Sequence, residues 1–88
     1  MFAAWVDALT DVRARARVQA RIERLANGNA GDSKAVGEGV SELRIDYGPG
    51  DRVYSVKTGQ TILILLTGGT KSTKSADIKN ALRLAPDL

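Results

Sequence analysis

Apolar residues recur at helical spacing over the first quarter of the chain and at strand spacing through its middle. Phe2, Trp5, Val6 and Leu9 share one helical side, which predicts a short amphipathic helix of about a turn and a half. Thr10 is the predicted N-cap of a second helix, with Asp11 in its first turn. Asn27-Gly28 stops that helix after about Ala26, since both residues accept positive φ. Along it, Ala14, Val18, Ile22 and Leu25 form a core stripe, while Arg13, Arg17, Arg21 and Arg24 spread over about 80° of another side. The arginines read as a solvent-facing cationic ridge.

Residues 27–39 are dense in Gly, Asn, Asp and Ser and predict a loop. A three-stranded antiparallel meander follows. From Val40 to Tyr47 the residues alternate, with Val40, Leu43, Ile45 and Tyr47 on one side and Glu42, Arg44 and Asp46 on the other. Gly48-Pro49-Gly50-Asp51 is a turn, Arg52 to Lys57 the second strand, and Thr58-Gly59-Gln60 the next connection. Thr61 to Thr67 is apolar on both faces, which predicts the central, doubly covered strand, ended by Gly68-Gly69. A last helix runs from Ser72 or Thr73 to Leu84, burying Ile78, Leu82 and Ala85. The class is α+β: two N-terminal helices packed on the meander, with a C-terminal helix.

Eighty-eight residues make one domain, 1–88, and so short a chain buries only about 60–65% of its unfolded surface. Without cysteine or histidine, it has no disulfide, no thiolate nucleophile and no imidazole for acid–base work or metal binding. No cofactor and no metal are expected. The formal charge of +3 is a mild basic bias, compatible with nucleic acid. The longest apolar run, Ile62 to Leu66, is strand-sized, and the N-terminus has no export pattern. A cytoplasmic protein without membrane contact is expected.

The cations off the second helix fall in three places: Lys34 in the long loop, Arg44 and Arg52 flanking one hairpin turn, and Lys71 and Lys74 after the last strand. Arg52 and Tyr54 share a strand parity and so a face, offering a guanidinium fork and a stacking ring to a phosphodiester. In Gly68-Gly69-Thr70-Lys71-Ser72-Thr73-Lys74, glycines admit a ligand close to the backbone, and the helix start supplies N–H groups beside Thr70, Ser72 and Thr73. The spacing of a nucleotide-hydrolysing phosphate loop is absent. Trp5 and Tyr47 read as core residues.

Together, Glu42-Leu43-Arg44-Ile45, Tyr47-Gly48-Pro49-Gly50, Arg52-Val53-Tyr54 and Gly68-Gly69-Thr70-Lys71-Ser72-Thr73, with Gly28 to Lys34 and Gly37 to Val40 upstream, resemble HigB-like "addiction module killer" toxins of the RelE/ParE superfamily. The likeness runs from Phe2 to Leu84. It implies a RelE/ParE-like fold whose first β-strand, ahead of Phe2, is missing from this sequence. It also implies a toxin neutralised by a cognate antitoxin, a helix-turn-helix HigA-like protein through which alone operator DNA is met. Most members of that superfamily cut mRNA on the ribosome; the ParE-like branch poisons DNA gyrase without being an enzyme. The family often carries an aromatic where Asp51 and Ser55 stand here.

For RNA cleavage the 2′-hydroxyl is the nucleophile, so the protein must accept its proton and steady the charge at phosphorus. Catalytic candidates are Arg52, supported by Arg44, with Lys71 or Lys74 as base; Tyr54, Lys34 and Thr73 are substrate-binding candidates. The expected function is the toxin of a type II toxin–antitoxin system, a metal-independent mRNA endoribonuclease. The alternatives are a gyrase poison and a decayed toxin that only binds its antitoxin.

Overall fold

In the computed structural model, residues 2–29, 31–48, 50–58 and 62–85 are described. Pro49 of the expected turn, the Gly59-Gln60 connection, the strand start at Thr61 and the side chains of residues 58 and 62–64 lie outside them.

The first two helices form as their periodicity predicts: α1 is Phe2–Ala8 and α2 is Val12–Ala26. Asp11, not Thr10, is the N-cap of α2, its carboxylate accepting from the backbone N–H of Arg13 at 2.9 Å and of Ala14 at 3.3 Å. A charged acceptor at the positive end of the helix outcompetes the neutral hydroxyl one residue earlier. Asn27 and Gly28 (φ 90°) end α2 where expected.

Within the expected loop lies a strand, β1 (Ser33–Gly37), so the sheet has four strands rather than three. The others are β2 (Val40–Arg44), β3 (Asp51–Thr58) and β4 (Ile62–Thr70), followed by a 3-10 turn (Lys71–Thr73) and α3 (Lys74–Leu84). All neighbours are antiparallel in the order β1-β2-β3-β4. That order corrects a second expectation. The apolar strand β4 is at an edge of the sheet, and β2 and β3 are its interior. Nor do the glycines end β4: Gly68 and Gly69 pair with Val53 and Arg52. A Cβ on Gly68 would stand 2.1 Å from Cε3 of Trp5, so the bare backbone is the floor on which α1 sits.

Helices cover both faces of the sheet. Val6 and Val18 pack with Leu43, Ile45 and Val53 on one face, joined by Trp5, Leu9, Ile22, Leu25 and Tyr47. On the other, Ala81 of α3 packs with Val40, Tyr54, Val56 and Leu66, joined by Ile78, Leu82 and Ala85. Strand alternation therefore splits β2 differently from the one-sided expectation. Val40 shares the α3 face with Glu42 and Arg44, while Leu43 faces α1 and α2. An extra residue in β4, Leu66, lets Thr67 and Leu65 face Tyr54 and Ser55.

The arginine ridge of α2 is exposed only in part. Arg13 and Arg24 face solvent, and Arg17 lies over the Tyr47 ring with its Cζ 4.5 Å from the centroid. Arg21 is half-buried and donates to the backbone carbonyls of Arg44 and Asp32, the latter at 3.1 Å. It ties α2 to β2 and to the chain leading into β1. Among the described residues no helix is long and apolar enough to cross a membrane.

Candidate functional site

Antiparallel register places charged residues opposite one another at the turn end of the β2–β3 hairpin. Arg44 pairs with Arg52, Glu42 with Tyr54, and Lys34 with Glu42. Because Glu42 and Arg44 are two apart on β2, and Arg52 and Tyr54 two apart on β3, all four side chains leave the face that α3 covers. The turn from β4 into α3 then carries Lys71 and Lys74 back over that end of the sheet.

At the centre stands a residue that the sequence reading set on the polar side of its strand. Glu42 is 0% exposed. Its Oε1 lies 3.2 Å from Nε of Arg44, 3.9 Å from Nε of Arg52 and 4.0 Å from Nζ of Lys74. Its Oε2 accepts from the Tyr54 hydroxyl at 3.1 Å. Three cations from three elements thus meet one carboxylate. Compensation of this kind lowers the cost of keeping a buried carboxylate charged.

Beside this cluster, Arg44, Arg52 and Lys71 line a cavity of about 400 Å³ with Asp32, Asp46 and the backbone of Gly48 and Gly50. Its cations suit an anionic group such as a phosphodiester. Arg52 is only 12% exposed and donates through Nη1 to the carbonyl of Gly50 at 3.3 Å. Gly50 brings the turn close: a Cβ there would stand 3.4 Å from Cβ of Lys71. Arg44 also reaches Asp32, at 3.9 Å.

Of the seven candidate residues, Arg44, Arg52 and Lys74 therefore converge on Glu42, and Lys71 joins the two arginines at the cavity. Lys34 is exposed on the neighbouring edge strand, in register with Glu42. Tyr54 is a correction. It is 0% exposed, so no base can stack on its ring. Burial, then the adjacent Glu42, pushes its phenol well above the ordinary value of 10.0, which keeps it a hydrogen-bond donor.

Thr73 is exposed and serves the local turn. Its hydroxyl oxygen accepts from the Thr70 N–H at 3.1 Å and donates to Asp77, while the Thr70 and Ser72 hydroxyls bond each other at 2.9 Å. The expected anion cradle at this helix start is thus filled by the chain's own groups. Gly69 makes room for them, because a Cβ there would stand 1.8 Å from Oδ2 of Asp77.

A second buried carboxylate faces α1 and α2. Asp51 is 1% exposed, neither oxygen has a hydrogen-bond partner, and burial, then the charge of Asp11, raises its pKa above the ordinary value of 3.8.

The sequence is similar to that of a protein of Haemophilus influenzae named only "Uncharacterized protein". The two are 49% identical over 87 residues, which span 99% of this chain and 88% of the relative. No family model matches the chain, and no solved structure matches it.

Proposed function

The chain belongs to one family with the Haemophilus influenzae protein, whose name states no activity, and from the chemistry of its own site we propose that it is the toxin of a type II toxin–antitoxin pair. It acts in the cytoplasm as a metal-independent endoribonuclease on mRNA at the ribosome, and a helix-turn-helix antitoxin of the HigA type neutralises it. The RelE/ParE-like reading of the fold belongs to the same proposal. One observation carries it: Arg44, Arg52 and Lys71, from two strands and the turn before α3, line a single cavity.

The chemistry follows from what those side chains can do. The 2′-hydroxyl attacks its own phosphorus, the 2′-O–P bond forms and the P–5′-O bond breaks, leaving a 2′,3′-cyclic phosphate and a 5′-hydroxyl. The Lys71 amine, exposed at the cavity rim, takes the proton of the attacking 2′-hydroxyl and hands it on to the departing 5′-oxygen. The guanidinium groups of Arg52 and Arg44 meet the negative charge that grows on the phosphoryl oxygens, where fixed donors act most strongly. Tyr54, buried and held by Glu42, neither stacks nor takes a proton.

Primer extension on mRNA from a translating extract tests this with the full chain. Wild type cuts, and Arg52→Ala cuts at a rate lower by about 10²-fold, the usual loss on removing one charge-stabilising donor. Normal cleavage by Arg52→Ala sinks the proposal. Intact mRNA with inhibited gyrase supercoiling points to the gyrase poison instead. Neither activity, with antitoxin binding kept, marks a decayed toxin.

A further inference from the structure

We infer that Glu42 is the positioning residue of this site: a carboxylate that never meets substrate, but gathers Arg44, Arg52 and Lys74 and aims the arginines at the cavity. The inference rests on the ribonuclease reading for its rate effect and on geometry alone for its binding effect.

With no exposed surface, Glu42 can act only through its neighbours. Those neighbours are held unequally. Arg44 makes a hydrogen bond through Nε at 3.2 Å. Arg52 and Lys74 stop at 3.9 and 4.0 Å, far outside the 2.7–2.9 Å of a closed charge-assisted bond. The Nε–H of Arg52 is buried and has no hydrogen-bond partner. Arg52 and Lys74 are therefore held in place by the field of Glu42 without being bonded to it. A phosphate entering the cavity meets Arg52 already placed by its 3.3 Å bond to the Gly50 carbonyl and by the charge of Glu42.

The charge balance points the same way. Arg44, Arg52, Lys71 and Lys74 stand against Glu42, Asp32 and Asp46, which leaves an excess of one positive charge around the cavity. Glu42 thus offsets enough repulsion for Arg44 and Arg52 to stand opposite each other on adjacent strands, without cancelling the attraction for an anion. The Tyr54 hydroxyl fixes Oε2 and so turns Oε1 toward the cations.

Glu42→Gln keeps the shape and the acceptor for Tyr54 but removes the charge. Two readouts then move in opposite directions. Affinity for a 2′-deoxy-substituted RNA oligonucleotide, which binds but cannot be cut, rises a few-fold at low salt because the cations are no longer neutralised. The single-turnover cleavage rate falls by about tenfold or more because Arg52 loses its aim. Unchanged affinity and rate, or a joint fall of both with the thermal midpoint, overturns the inference.

If wild type cuts no RNA, the ribonuclease reading fails by itself, and oligonucleotide affinity still decides the role of Glu42: a rise supports it and no change overturns it. Should Glu42→Gln not fold, Tyr54→Phe carries the test. It removes only the anchor of Oε2, so it keeps oligonucleotide affinity and loses about two- to fivefold in rate; an unchanged rate overturns the inference.

Discussion

Asp51→Asn is expected to stabilise the protein at neutral pH and to do so less and less as the solution is acidified. Asp51 opens β3 with 1% of its surface exposed and both oxygens unpartnered. An unsatisfied buried polar group costs about 1–3 kcal/mol, and more when charged. Asparagine keeps the shape and an unpaired amide but removes the charge, so the gain at pH 7 is the charged excess, about 1–2 kcal/mol. At this chain length each kcal/mol moves the thermal midpoint by roughly 4–8 °C.

The sign follows from proton linkage. Burial, with Asp11 second, raises the folded-state pKa of Asp51 above the ordinary 3.8. Between the unfolded and folded values the native state holds the extra proton, so wild-type stability falls as pH rises through the folded value. Below the unfolded value the penalty is gone. Urea melts at pH values from 4 to 8, read by the fluorescence of the single tryptophan, measure the difference between the two proteins directly. An asparagine variant no more stable at pH 7, or one whose advantage is undiminished at pH 4, would refute a carboxylate left uncompensated in the folded state.

The other substitutions test neighbouring parts of the same frame. Gly68→Ala would put a Cβ 2.1 Å from the Trp5 ring; overpacking of this kind costs about 1–3 kcal/mol, read as a lower urea midpoint, and an unchanged midpoint would mean that α1 does not need the bare backbone. Asp11→Ser keeps a cap on α2 while removing the charge that faces Asp51, so stability at pH 7 changes by less than about 0.5 kcal/mol and its pH dependence flattens in the same titration. Asp11→Ala loses the cap as well and costs about 1 kcal/mol.

Helices α1, α2 and α3 were legible because their apolar residues repeat at the helical period over enough turns. β1 was not. Its five residues, Ser33 to Gly37, are exposed apart from half-buried Val36, so no alternation marks them, and they form a strand only because the edge of β2 offers backbone partners. The place of β4 was misjudged for a related reason. An apolar run reports coverage on two faces, and here α1 packs on one and α3 on the other, but coverage says nothing about order within the sheet.

The cationic half of the site was visible in the hairpin arithmetic of Arg44 and Arg52. Its anionic half was missed by assuming that one face of β2 meets water. Parity alone puts Glu42 on the side of Arg44, and across the turn Tyr54 on the side of Arg52; had both faces been allowed a helix, the carboxylate would have come with the arginines. The cap at Asp11 and the tie from Arg21 depend on competition and distance that spacing does not encode.

A sheet built only for stability would not place Arg44 opposite Arg52. Like charges directly across adjacent strands repel. Here the pair stands on the two interior strands, β2 and β3, beside the turn that joins them. Glu42 offsets the repulsion from below and Asp32 from the β1 side, but the compensation is incomplete, because Arg52 keeps a buried Nε without a partner. Local rules are broken in this way mostly where a protein needs the broken arrangement. Two guanidinium groups forced to one side of a cavity, with a lysine at its rim, are a poor way to hold strands together and a good way to hold an anion.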